Sequence, residues 1–247
     1  MNNDISKSIQ ENINKYFPLL AEVRRRLLFV LSVFILFGVI GFFYYERIIT
    51  FIIGLLDLNG VNVVFTDQFQ FLNLAISSSL IVGLIISIPL FMYQFLTFLK
   101  PALREKEYKS IMKLLPLSIL LFLGGFVFGF TMMKWVIVIF YSKSIELNIG
   151  NMLDISKLLS QVLVTSALMG LAFQFPIVMS LLMDFKLVAH DTFTKQRPFA
   201  YVIAMIFAAL MPPTDILSMT LLALPLVVLF ELTLLLNRST AHRKDVI

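Results

Sequence analysis

Cysteine is absent from the 247 residues, histidine occurs twice and tryptophan once. Without cysteine there can be no disulfides, thiolate metal sites or cysteine nucleophiles, and the redox compartment is left open. His190 and His242 both lie in polar segments, and neither has a second ligand at metal spacing. The long apolar runs contain no histidine and no aspartate, so the side chains of an intramembrane serine or aspartate protease are missing. No Ser-centred elbow and no Gly-rich phosphate loop occurs, which argues against an enzyme, a bound cofactor or ATP hydrolysis by this chain. Charge is also scarce, at 14% of residues.

What is present is apolar. Hydrophobic residues make up 59% of the chain, with 25 Phe and 12 Met, and the mean hydropathy is +0.92, far from a soluble domain. A bilayer-crossing helix needs about 20 apolar residues, each adding ~1.5 Å. Leu27–Tyr45, Phe69–Leu96, Leu114–Tyr141 and Leu158–Met183 meet that length, the second with Pro89, the third with Lys134, the fourth broken by Pro176. Phe199–Met211 is apolar but has only 13 residues, and Ile216–Leu236 follows after Pro212, Pro213, Thr214 and Asp215. These last two runs form either one buried region or two spans joined by a tight turn. Consecutive prolines disfavour a continuing helix and Asp215 suits the N-cap of the next one, so two spans are favoured. The short one needs a thinned bilayer or shielding by protein.

The net charge of +5 reflects topology rather than a nucleic-acid partner, because the basic residues cluster beside the apolar runs. With both termini on one side, that side holds Lys7, Lys15, Arg24, Arg25, Arg26, Lys100, Arg104, Lys106, Lys109, Lys113, Lys186, Lys195, Arg197, Arg238, Arg243 and Lys244, which is 16 of the 20 Lys and Arg. The positive-inside rule then places both termini in the cytoplasm and favours an even number of spans. The expected fold is all-α: a six-helix polytopic domain over residues 18–236, between cytoplasmic tails at 1–17 and 237–247. Residues 1–17 lack the pattern of a secretory signal. The far-side loop 46–68 is expected to contain a short helix at Ile48–Leu56, and loop 142–157 to be ordered only by packing.

Several polar residues invite a functional reading. Glu22 opens the first span, where the plainer reading pairs it with Arg25 or Arg26 one turn away. Glu105 and Glu107 lie among basic residues in the loop 100–113. They are either solvated and internally paired, or a carboxylate site for a cationic ligand, for which an arginine guanidinium is the best geometric match. Lys134, Gln174 and Glu231 are polar groups within spans, where they should face protein or water. Gln174 is either glue within the monomer or part of a docking patch. For Glu231, near the end of its run, snorkelling or capping suffices.

The order of these features resembles TatC, the multispanning core subunit family of the twin-arginine protein translocase. The likeness runs from about Pro18 to Arg238. Glu22-Val-Arg24-Arg-Arg-Leu27 is similar to the family's N-terminal signature. Tyr93-Gln94, Phe98, Pro101-Ala-Leu103 and Glu107 follow its first cytoplasmic loop. Ala172-Phe-Gln-Phe-Pro176 resembles its fourth-span motif, Arg197-Pro198 its fifth-span start, and Pro212-Pro213-Thr214-Asp215 with Ser218, Pro225 and Glu231 its final hairpin. The sequence departs from the family in having Leu19 where His is frequent, and Gln174 where Glu is frequent, so a protonatable group at 174 is absent.

The resemblance implies a cupped bundle with short fifth and sixth helices, and a receptor for folded precursors bearing twin-arginine signal peptides. Glu22 and Glu107 would form the carboxylate patch, with Arg24, Phe98 and Pro101 shaping it. Gln174 would be the polar spot in a groove that contacts the signal peptide or single-span TatA/TatB-type subunits. Pro176, Pro212, Pro213, Asp215 and Glu231 would be structural. Other TatC copies and the lipid bilayer are the remaining expected partners. The location would be the bacterial cytoplasmic membrane or its organellar equivalent, with transport driven by the proton gradient or membrane potential. A small secondary transporter or ion channel, using Lys134, Gln174 and Glu231 along an internal path, is the alternative, although no inverted repeat is visible.

Overall fold

The computed structural model describes residues 2–56, 63–64, 69–98, 100, 108, 112–147, 153–185 and 187–244, with side chains at 20–56, 69–98, 100, 108, 112–147, 154–185 and 187–237. Among the described residues the helices are α1 (Asn2–Phe43), α2 (Tyr45–Leu56), α3 (Gln70–Phe98), α4 (Leu114–Glu146), α5 (Ile155–Ala172), α6 (Phe175–Asp184), α7 (His190–Lys195), α8 (Arg197–Leu210) and α9 (Ile216–Lys244). A two-residue parallel bridge pairs β1 (Val63–Val64) with β2 (Leu153–Asp154).

Among the described residues, five segments are long and apolar enough to cross a membrane: Leu20–Phe43, Gln70–Phe98, Leu114–Glu146, Ile155–Asp184 and Ile216–Asn237. α8 is apolar but has 14 residues, about 21 Å of helix. The expected two-helix ending is therefore present, with one helix too short to span an ordinary bilayer alone. Both ends are helical: α1 is continuous from Asn2 through the segment expected as the N-terminal tail, and α9 runs on to Lys244. Polar residues at these ends carry no apolar signal, yet most are compatible with a helix already nucleated by its neighbours.

Helix approach is set by small residues. α1 and α3 run antiparallel, and a Cβ on Gly83 would lie 2.7 Å from the Phe34 carbonyl oxygen. α4 and α5 repeat the device: a Cβ on Gly125 would lie 2.6 Å from the Met169 carbonyl oxygen. In lipid the hydrophobic effect does not drive helices together, so close backbone packing must.

The contacts sort the helices between two ends. At the basic end, Met92 and Leu96 of α3 pack with Ile177 and Leu181 of α6 and with Leu114 and Leu115 of α4. Phe230 and Leu234 of α9 pack there with Met183, Phe193 and Tyr201. At the far end, Ile52 and Leu56 of α2 join Leu74, Ile155, Leu158 and Leu159 in one buried cluster. Loop 142–157 does more there than pack. Asp154 caps α5 by accepting from the Ser156 and Lys157 amides at 3.0 and 3.1 Å, and also accepts from Gln70 Nε2 at 2.8 Å. Ser156 donates to the Gln70 carbonyl.

Candidate receptor face and apolar groove

Glu22 sits on α1 at the basic end, its side chain 40% exposed. Arg26, one turn on, donates to Glu22 Oε1 from Nε at 3.0 Å and from Nη2 at 2.6 Å. The partner is thus Arg26, at i+4, rather than Arg25, at i+3. Arg26 Nη1 reaches α3, donating to Gln94 Oε1 at 2.9 Å and to the Gln94 carbonyl at 3.1 Å. One arginine therefore ties the carboxylate to a second helix. Arg24 points to the exterior. Phe98, with Val23, Leu27, Val30, Phe91 and Phe95, lines a slot of about 220 Å³ between α1 and α3, walled on its polar side by Arg26 and Gln94. Lys100 lies over the Tyr108 ring at 5.5 Å. Pro101, Glu105 and Glu107 lie outside the described residues.

A larger groove, about 380 Å³, opens between α3, the α5–α6 break and the α8–α9 hairpin. Its walls are apolar, with Phe91, Phe175, Ile203, Phe207 and Phe230 among them, and Gln174 is on its lining. Pro176 explains the break: it occupies the first turn of α6, where its missing N–H costs nothing, and α5 has ended at Ala172. Gln174 itself is only 5% exposed. Its Oε1 accepts from Ser118 Oγ at 2.5 Å and its Nε2 donates to the Ser118 carbonyl at 3.0 Å. The glutamine is therefore glue between α4 and the α5–α6 break, and it also forms part of the groove wall.

The hairpin that closes the groove is held at both ends. At its tip, Asp215 accepts from the Ser218 amide at 2.8 Å and from Ser218 Oγ at 2.6 Å, capping α9. Thr165 Oγ1 donates to the Pro212 carbonyl, and the Pro212–Pro213 bond is cis. Thr165 lies ten residues into α5, about 15 Å from its start, so the tip stops well short of the far end. At the basic end, Glu231 accepts from Tyr201 Oη at 2.6 Å and pairs with Arg197 at 3.1 Å. It bridges α8 and α9 rather than snorkelling. Lys134 also has a protein partner: its Nζ donates to the Leu55 carbonyl at 3.1 Å, at the C-terminal end of α2. Among the described residues no cluster of three His, Asp or Glu could hold a metal ion.

A family model described as "Sec-independent protein translocase protein (TatC)" matches residues 18–225. The chain belongs to the TatC family. Among TatC relatives, TatCy of Bacillus subtilis (strain 168) is 32% identical over 231 residues, covering 91% of this chain and 89% of the relative. TatC of Listeria innocua is 30% identical, covering 92% of each. A crystal structure of the twin arginine translocase receptor TatC in DDM superposes with a TM-score of 0.80 at 28% identity, over 88% of this chain and 98% of that one. The TatC fold, and membership of the Sec-independent translocase, are thereby shown for this multi-pass membrane protein. Sequence reasoning offered Arg26 as a partner of Glu22, from its i+4 spacing, and noted Gln94 only within the Tyr93-Gln94 motif. It did not single out Ser118 or Tyr201, which are distant in sequence from the groups they bind.

Proposed function

We propose that this TatC-family chain is the non-catalytic receptor of the translocase, taking twin-arginine signal peptides of folded precursors at the cytoplasmic face. The observation that carries this reading is a half-exposed carboxylate, Glu22, fixed on the basic end of the bundle beside apolar recesses. A signal peptide is a cationic head followed by an apolar segment, and this arrangement complements both. Burial of the apolar part, at ~25 cal/mol per Å², would supply most of the affinity. The carboxylates, weak as ion pairs at a wet surface, would supply specificity. Glu107 joins Glu22 in the patch, Arg24, Phe98 and Pro101 shape it, and Gln174 marks the groove that receives the apolar segment or single-span TatA/TatB-type subunits. Oligomers with further TatC copies, in a bacterial cytoplasmic membrane or its organellar equivalent, complete the reading.

The transporter alternative has lost its support. Each polar group it required is engaged within the fold: Lys134 by Leu55, Gln174 by Ser118, Glu231 by Tyr201 and Arg197. The deciding experiment is photocrosslinking from position 107 to a twin-arginine precursor in native membranes, with a Lys-Lys precursor as control. Crosslinking that requires the paired arginines, and that is lost on Glu107→Lys once the probe is moved to Phe98, is expected. Equal crosslinking of both precursors would sink the receptor reading.

A further inference from the structure

The Arg26 guanidinium is held by three acceptors on two helices: Glu22 Oε1, Gln94 Oε1 and the Gln94 carbonyl. Both of its bonds to Glu22 fall on the same oxygen, and no described residue donates to Oε2. Arg26 is the more buried of the two, 23% exposed against 40% for Glu22. It is therefore framework, while Oε2 of the partly exposed Glu22 accepts from no described residue. The pair is also electrically neutral. With Arg24 and Arg25 exposed beside it, the neutral pair exerts no net long-range pull on a cation, so a ligand is selected there by hydrogen-bond geometry rather than by net charge. Guanidinium and ammonium differ in that respect. The first presents a rigid planar edge of N–H donors and is weakly hydrated, whereas the second is a strongly hydrated point charge.

We propose that Arg26 and Gln94 are positioning residues that fix Glu22 with Oε2 turned toward the ligand, and so set the preference for arginine over lysine. This rests on the receptor reading above and adds to it the residues that create the discrimination. Without the clamp, Glu22 samples several rotamers and must be ordered by each ligand. An unclamped carboxylate behaves as an ordinary surface charge, attracting lysine and arginine alike.

The test uses the full chain in lipid nanodiscs and two fluorescent signal peptides, one with Arg-Arg and one with Lys-Lys. Kd is measured for both with wild type, Gln94→Met and Arg26→Lys. Gln94→Met removes one acceptor but keeps side-chain length and the backbone carbonyl. Arg26→Lys keeps the charge but cannot span both helices. Thermal unfolding of each variant serves as the folding control, and if Arg26→Lys does not accumulate, Gln94→Met decides alone. Wild type should prefer Arg-Arg. In the variants that preference should fall by about tenfold, the equivalent of one hydrogen bond to a charged group, with Lys-Lys binding little changed. If wild type shows no preference, the receptor reading itself fails. If wild type discriminates and Gln94→Met discriminates equally, the receptor stands and the clamp is refuted. Tighter Arg-Arg binding by either variant would also refute it, because Arg26 would then be competing with the ligand for Glu22.

Discussion

At the scale of the residue, most of the larger polar groups inside this protein are engaged, while the buried hydroxyls of Ser78, Ser87 and Thr97 have no hydrogen-bond partner among the described residues. Gln174 and Ser118 exchange two hydrogen bonds between α4 and the α5–α6 break. Gln174→Leu removes both and leaves the Ser118 hydroxyl without its acceptor. The expected cost is about 1–2 kcal/mol, read as a lower unfolding temperature in detergent. A double-mutant cycle with Ser118→Ala should show that the two losses are not additive. Lys134 is a different case, because its ammonium meets the C-terminal end of α2, where a cation is favoured by the helix dipole. Lys134→Met should leave the bundle folded but loosen α2 by about 0.3–1 kcal/mol. Faster amide hydrogen exchange confined to Ile52–Leu56 would report it. Glu22 and Glu231 were both visible in the sequence as acidic groups at membrane ends. Their partners were not equally visible: Arg26 is four residues from Glu22, whereas Arg197 and Tyr201 reach Glu231 only because two helices fold back on each other.

At the scale of the element, adjacent glycines in α4 separate packing from propensity. A Cβ on Gly125 would strike the Met169 carbonyl and the Phe173 ring, whereas a Cβ on Gly124 would meet nothing within 4 Å. Gly125→Ala should therefore destabilise by about 1–3 kcal/mol as α4 and α5 are pushed apart. Gly124→Ala should be neutral or stabilise by up to ~1 kcal/mol through helix propensity. Paired thermal melts of the two variants check this, and equal effects would mean that the α4–α5 contact is not set by Gly125. At the far end, Asp154 serves two elements at once, capping α5 and bonding Gln70 at the start of α3. Asp154→Ala should cost more than the ~1 kcal/mol of an isolated cap, and Asp154→Asn should recover most of it.

At the scale of the whole molecule, the traverses alternate so that Arg26, Gln94, Leu181, Arg197 and Asn237 lie toward one end and α2, Gln70 and Asp154 toward the other. The chain's lack of cysteine makes this testable with single-cysteine variants. Ser239→Cys should react with a membrane-impermeant maleimide only in inverted vesicles, and Asn148→Cys only in right-side-out ones. Labelling of both from the same side would overturn the arrangement. The α8–α9 hairpin gives the molecule its asymmetry. Its tip is bonded to Thr165, partway along α5, instead of reaching the far end, so the wall facing the groove is lower than the rest.

Sequence alone determined the number and kind of apolar runs, the break at Pro176, the two-helix ending around Pro212 and Pro213, and the side on which charge gathers. These follow from local chemistry: helix length against bilayer thickness, the missing proline donor, and the positions of Lys and Arg along the chain. Tertiary structure decided the rest. Which oxygen of Glu22 is occupied, what satisfies Gln174, how Glu231 is paired and how Asp154 joins α3 to α5 each depend on residues brought together from distant parts of the chain. A one-dimensional pattern records that a buried polar group needs a partner, but only packing selects which one.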